Sequence, residues 1–181
     1  MSTPTKQPSI EKETSMKQTI SILVENRAGV LNKITNLFSR RAFNIDSLAV
    51  GVTDDKSISR ITIVVDNDNN VVEQIEKQLN KLIEVIKVRT IEDREVVGKE
   101  LMIIKVSSAQ KTRGDIMNIC DIMGAKIDDI TNATLTLVLA DTPDRIDLFE
   151  SLLRPFSILE VARTGMIAVQ KGSGFIAVKG S

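Results

Sequence analysis

Two hydrophobic rhythms alternate along this chain, one of period two and one of three to four, and their order occurs twice. Ile20, Ile22 and Val24 alternate with polar neighbours and predict a strand over 17–24. Val30, Ile34, Leu37 and Phe38 then fall at helical spacing and predict a helix over 30–41. Leu48, Val50 and Val52 mark a second strand over 45–52, Asp54-Asp55-Lys56 a turn, and Ile61, Ile63 and Val65 a third strand. After the polar run 66–70, Val72, Ile75, Leu79, Leu82 and Ile86 give a second helical stripe, and 85–90 a closing strand. The order βαββαβ is that of the ferredoxin-like split unit.

Beyond a charged stretch, 92–100, read as a linker, the order recurs. Residues 101–106 predict a strand, and Ile116, Ile119, Cys120 and Met123 a helix. Strands follow at 127–130 and 135–139, then a helix carrying Ile146, Phe149, Leu152 and Leu153 with Pro155 near its end, and a last strand within 158–169. The expected fold class is therefore α+β, two ferredoxin-like βαββαβ domains in tandem, at 16–91 and 101–170. Architecture repeats, whereas residue identity does not. Polar residues 1–15 read as a disordered tail without a signal peptide's apolar segment, and 171–181 as a flexible tail.

The junction between the first strand and first helix carries the candidate chemistry. Glu25-Asn26-Arg27-Ala28-Gly29-Val30-Leu31 passes from strand through a polar turn directly into helix. Such a junction aims unpaired helix N-terminal amides at one point, which suits an anion such as a carboxylate. Gly29 permits a positive φ and close approach. Asn26 brings an amide able to donate to a carboxylate and accept from an ammonium group. Together these meet the needs of a free amino acid, although Asn and Gly are also ordinary turn residues. The second unit has Ser107-Ser108-Ala109-Gln110-Lys111 at the corresponding place, which points to a different role.

Composition narrows the function classes. The 181 residues carry 24 Lys plus Arg and 24 Asp plus Glu, so no global field draws the chain to nucleic acid or an anionic membrane. No apolar run is long enough to cross a bilayer. With no histidine, catalytic triads and Cys/His metal sites are excluded, and no acidic pair stands in an apolar setting that would tune it for acid–base work. No catalytic residue and no metal ligand is expected. The single cysteine, Cys120, sits on an apolar helical face and reads as a core thiol of a protein from a reducing compartment. Ser39-Arg40-Arg41 reads as a solvated helix end. Lys171-Gly172-Ser173-Gly174 lacks the spacing of a phosphate loop. The methionines read as core filling. Arg163 is equally compatible with a subunit contact and an internal ion pair.

Several runs resemble the regulatory small subunits of acetolactate synthase (acetohydroxyacid synthase), whose first half is an ACT domain, a widespread amino-acid sensor. They are Glu25 to Leu31 and the Leu37-Phe38-Ser39-Arg40-Arg41-Ala42-Phe43-Asn44-Ile45-Asp46-Ser47-Leu48 stretch, with Ser59 to Val65, Glu73 to Leu82 and Val161-Ala162-Arg163-Thr164-Gly165. The similarity spans about 16–169. It implies a non-catalytic partner of a large subunit that holds thiamine diphosphate, Mg²⁺ and FAD, with no cofactor in this chain. It implies activation of that subunit and feedback inhibition by valine, or another branched-chain amino acid, in branched-chain amino-acid biosynthesis. It also implies a homodimer through the ACT domains, with the effector at their interface, and a cytoplasmic location, or the plastid stroma in a photosynthetic eukaryote. Carried over by position, the effector residues are Asn26, Ala28, Gly29, Val30 and Leu31 on the turn, with Asn44 and Ile45 at the facing start of the second strand. The competing readings are a free-standing ACT-type sensor controlling another enzyme or transcription, and a small ferredoxin-like enzyme.

Overall fold

The computed structural model describes residues 17–66 and 69–177. The first unit runs β1 (Lys17–Glu25), α1 (Val30–Arg40), β2 (Ser47–Val52), β3 (Ile58–Asp66), α2 (Asn69–Leu79) and β4 (Val85–Ile91). Its antiparallel sheet has the order β2-β3-β1-β4. Period-two residues of β1 and β3 meet period-3.6 residues of both helices in one core. Ile20, Ile22, Val24, Ile61, Ile63 and Val65 lie against Val30, Ile34, Phe38, Val72, Ile75 and Leu79. Each such side chain, fully removed from water, contributes about 1.5–3 kcal/mol before conformational entropy is set against it.

The second unit repeats the plan with β5 (Val96–Ser107), α3 (Arg113–Met123), β6 (Lys126–Ile130), β7 (Thr134–Asp141), α4 (Pro143–Leu153), β8 (Ile158–Arg163) and β9 (Ile167–Gln170). Its sheet order is β6-β7-β5-β8, with β9 added on β5. Met102, Ile104, Val106, Leu135, Leu137 and Leu139 pack on Ile116, Cys120, Met123, Ile146, Phe149 and Leu153. Two α+β units of βαββαβ order are what the periodicity predicts.

Boundaries differ where pairing partners were hidden from local pattern. Of the stretch expected as a linker, residues 92–95 connect β4 to β5, and 96–100 already belong to β5. A 3₁₀ turn at Asp93–Glu95 leads into β5, whose first residues, Val96 to Lys99, pair with Gln170 to Ile167. Burial alternates along β5, with Lys99 outward and Glu100 buried, so charged residues on both faces mask the strand rhythm. The last strand, expected as one run over 158–169, is two strands broken at Gly165, where φ is +74°. The second strand begins at Ser47, so Asn44 and Ile45 precede it, after Ala42 turns the chain at φ 54°. Residues 171–177, expected as part of a flexible tail, are tied back. Lys171 donates its N–H to the Glu95 carbonyl at 2.7 Å, and Arg89 Nη1 donates to the Phe175 carbonyl at 2.8 Å. The expected tail at 1–15 lies outside the described residues.

The β5–β9 ribbon has a packing role. Thr19, Ser21, Leu23, Thr62 and Val64 alternate with the core residues of β1 and β3, so they face away from the helices, yet all are buried. Val64 packs with Met166, Ala168 and Val96, so the ribbon covers the outer face of the first sheet. A Cβ on Gly98 would meet Met166 Sδ at 2.5 Å, which explains a residue without a side chain there.

Where β5 leaves β9, Lys99 Nζ lies 2.7 Å from Asp141 Oδ1, and Arg145 Nε holds the other carboxylate oxygen. Lys99, the Thr142 N–H and then Arg145 hold the Asp141 carboxyl down to about 2. A depressed folded pKa gives stability that is present above the unfolded value, near 3.8, and lost as pH falls towards 2. The urea midpoint should therefore fall as pH drops from 4 to 2, and Asp141→Asn should flatten that slope. Equal slopes in variant and wild type would deny the linkage.

Cys120 is buried, and burial, followed by nearby Asp121, pushes its thiol up to about 11. Thiolate chemistry needs the opposite conditions. A chromogenic disulfide reagent at pH 8 should label Cys120 only on unfolding, at the rate set by denaturant.

Candidate functional site

Gly29 is the N-cap of α1, in the left-handed region at φ 86°, and a Cβ placed there would meet nothing within 4 Å. The first turn of α1 holds no acidic residue, so its unpaired amides keep their positive end uncompensated. Val30 N–H reaches back to the Arg27 carbonyl at 3.4 Å, closing the turn, and Lys33 N–H takes the Gly29 carbonyl at 3.1 Å. Asn26, Arg27, Ala28 and Gly29 are all exposed.

Neighbouring segments hold the turn. Asn26 N–H donates to the Ser57 carbonyl at 2.6 Å and its Nδ2 to the Lys56 carbonyl at 2.8 Å, tying it to the β2–β3 hairpin. That engages one of the two Nδ2 hydrogens, and Oδ1 is an acceptor suited to ammonium. Val30 points into the core at 4% exposure, whereas Leu31, at 42%, is the apolar side chain beside the open turn.

Sequence reasoning missed Glu84. It is buried, and its carboxylate takes Lys33 Nζ from the first turn of α1 and lies 3.8 Å from Arg27 Nη2. Its backbone carbonyl accepts the Glu25 N–H at 3.0 Å. Lys33, then its own backbone N–H, and further off Arg27, hold the Glu84 carboxyl below the ordinary carboxylate range. One residue thus fastens the end of β1, the turn and the helix start. An acid following Leu82 and Ile83, in a loop between helix and strand, carries no local signal of that role.

Asn44 is exposed and Ile45 half-buried against the first core. They are not brought to the turn of their own chain. Asp46 N–H pairs with the Val64 carbonyl and Asn26 N–H with that of Ser57, seven residues back along the same extended segment. At about 3.3 Å per residue the two ends stand roughly 23 Å apart. Within one chain the turn residues and the pair 44–45 therefore do not form one site.

The corresponding junction of the second unit is filled. Ser108 is fully buried, its N–H on the Ala133 carbonyl at 2.7 Å. Arg113 Nε donates to Ser108 Oγ at 3.1 Å and Nη2 to the Thr131 carbonyl at 2.6 Å. A guanidinium occupies the place that is open at α1. Among the described residues, no group of three or more His, Cys, Asp or Glu side chains is arranged to hold a metal, and no helix is long and apolar enough to cross a membrane.

Fold and turn define a tandem ACT-like chain whose first unit opens α1 on an exposed turn that is filled at α3 of the second. Residues 20–87 match the family model described as an AHAS small subunit-like ACT domain, and residues 99–172 that of the small subunit of acetolactate synthase. The chain is 44% identical over 154 residues to the acetolactate synthase small subunit of Mycolicibacterium smegmatis, covering 85% of this chain and 91% of that one. It is likewise 44% identical over 158 residues to the probable acetolactate synthase small subunit of Archaeoglobus fulgidus, covering 87% and 99%. The crystal structure of the small subunit from Thermotoga maritima superposes with a TM-score of 0.82 at 34% identity, over 87% of this chain and 99% of that one. This chain belongs to the acetolactate synthase small-subunit family.

Proposed function

We propose that this chain is the regulatory subunit of an acetolactate synthase, and that it binds a branched-chain amino acid, valine foremost, at a seam between two copies. The observation that carries the reading is the open left-handed turn at Gly29, on a helix whose first turn holds no acid, in a chain of this family. The effector carboxylate docks on the amides at 29–31. Asn26 Oδ1 of one copy and Asn44 of the other take the ammonium. Leu31 and the facing Ile45 wall the isopropyl group. Discrimination among valine, leucine and isoleucine is shallow, since one methylene in such a pocket is worth about 1–3 kcal/mol.

Among the described residues the edge strand β2 pairs with β3 alone, and pairing two β2 edges extends the sheet across a homodimer. An effector held at that seam favours one dimer geometry over another, which is sufficient to shift a population. The catalytic large subunit supplies the chemistry with thiamine diphosphate, Mg²⁺ and FAD. This chain activates it and makes it responsive to end product.

Calorimetric titration of the full chain with valine, leucine and isoleucine, paired with an assay of the large subunit with and without the chain, tests the reading. Saturable binding together with valine-dependent loss of the added activity is expected. A chain that binds none of the three, and neither activates nor sensitises the enzyme, would overturn it.

A further inference from the structure

We infer that the β8–β9 turn, Thr164-Gly165-Met166, is a rigid foot of the second unit that positions the start of β2 and couples effector binding to the rest of the chain. The inference rests on the functional reading above.

The foot is fastened from its own side. Arg163, just before it, holds Glu100 with Nε at 2.8 Å and Nη2 at 2.9 Å. Thr164 N–H donates to the Leu101 carbonyl at 3.1 Å, and Leu101 N–H donates back to Thr164 Oγ1 at 3.1 Å. The turn cannot slide without breaking the β5 ladder.

Its tip rests on the first unit. A Cβ at residue 165 would stand 3.4 Å from the Leu48 carbonyl oxygen and 3.4 Å from Ser47 Cβ, so glycine gives backbone-to-strand contact at a φ of +74°. Met166 N–H points to Ser47 Oγ at 3.4 Å, and the Met166 side chain lies against Val64 and Val96. Ser47 opens β2 and stands three residues after Asn44, in the segment expected to face the partner copy's turn. Asp46 is pinned there too, by its N–H on the Val64 carbonyl and its carboxylate 2.8 Å from Lys17 Nζ. A change in the seam that moves residues 44–47 must therefore move the foot or lose its contact. Packed contacts of this kind switch between discrete arrangements rather than stretching.

Gly165→Val wedges the contact from the foot, and Ser47→Val wedges it from the strand without a positive-φ substitution. The full chain of each is titrated with valine by calorimetry and assayed with the catalytic subunit. Valine Kd within about threefold of wild type, normal activation, and at least a tenfold higher valine concentration for half-inhibition are expected in both, the signature of lost coupling rather than lost binding. Should Gly165→Val fail to fold, by circular dichroism and thermal melting, Ser47→Val alone decides. Unchanged inhibition would overturn the coupling role. Parallel loss of binding and inhibition would overturn it too, making the foot a scaffold of the site. If the wild type binds no branched-chain amino acid, the functional reading fails, and the coupling role with it.

Discussion

Gly29→Asp should abolish valine binding at concentrations that saturate the wild type, with activation of the catalytic subunit retained. Two effects on folding oppose each other, the cost being partly offset. A non-glycine residue at φ 86° costs about 1–2 kcal/mol, while a carboxylate at a helix N-terminus returns about 0.3–1 kcal/mol. The new side chain enters open space, with nothing within 4 Å of its Cβ, so no clash is added. For the ligand both consequences are adverse. The aspartate competes for the amides at 29–31 and sets a second negative charge beside the incoming carboxylate. Like charges about 4 Å apart cost from ~1 kcal/mol in bulk water to ~4 kcal/mol at the effective dielectric of a protein surface. The expected loss is about a hundredfold or more in Kd. Gly29→Ala separates charge from strain, and its loss should stay within about tenfold. Wild-type binding by the aspartate variant would place the effector elsewhere.

Arg163→Ala should be the most destabilising single change outside the two cores. Its guanidinium is a two-pronged partner of Glu100, whose side chain is only 6% exposed. It also reaches Asp147 at 2.8 Å and Glu150 at 3.5 Å on α4. Truncation leaves a buried carboxylate without its cation, at a cost of about 3–5 kcal/mol. For a chain of this size each kilocalorie lowers Tm by roughly 2–4 °C, so thermal and urea unfolding should both show the change. The paired replacement Glu100→Met with Arg163→Met should recover most of the loss, because an apolar pair of similar volume carries no stranded charge. A single variant as stable as wild type would show the contact to be a solvated one. Arg163 is thus an internal ion pair, one of the two readings its sequence context left open.

The comparison of the two helix-opening turns shows how far local sequence reaches. Asn26 and Gly29 were legible as an exposed turn opening a helix, because backbone freedom and turn propensity belong to the residues themselves. That one Asn26 amide hydrogen is already engaged was not legible, since its acceptor, the Lys56 carbonyl, is 30 positions away. Glu84 was missed for the same reason: its partners Arg27 and Lys33 arrive from another segment. Residues 92–100 looked like a linker because charged residues, the buried Glu100 among them, interrupt the apolar rhythm. Only β9, some seventy positions later, pairs with Val96 to Lys99 and makes them part of a strand.

Periodicity alone determined the two βαββαβ units, their order and their helix-facing cores, because burial of one face imposes a period of two on strands and 3.6 on helices wherever they lie in the chain. The absence of histidine likewise removed whole classes of catalysis before any fold was known. Tertiary structure alone decided that the β5–β9 ribbon seals the outer face of the first sheet. It also decided that Gly165 rests on Ser47 and Leu48, and that residues 44–45 stand at the opposite end of the sheet from the Gly29 turn. Those facts depend on contacts between segments distant in sequence, whose geometry is fixed by pairing register and packing rather than by any residue's own preference.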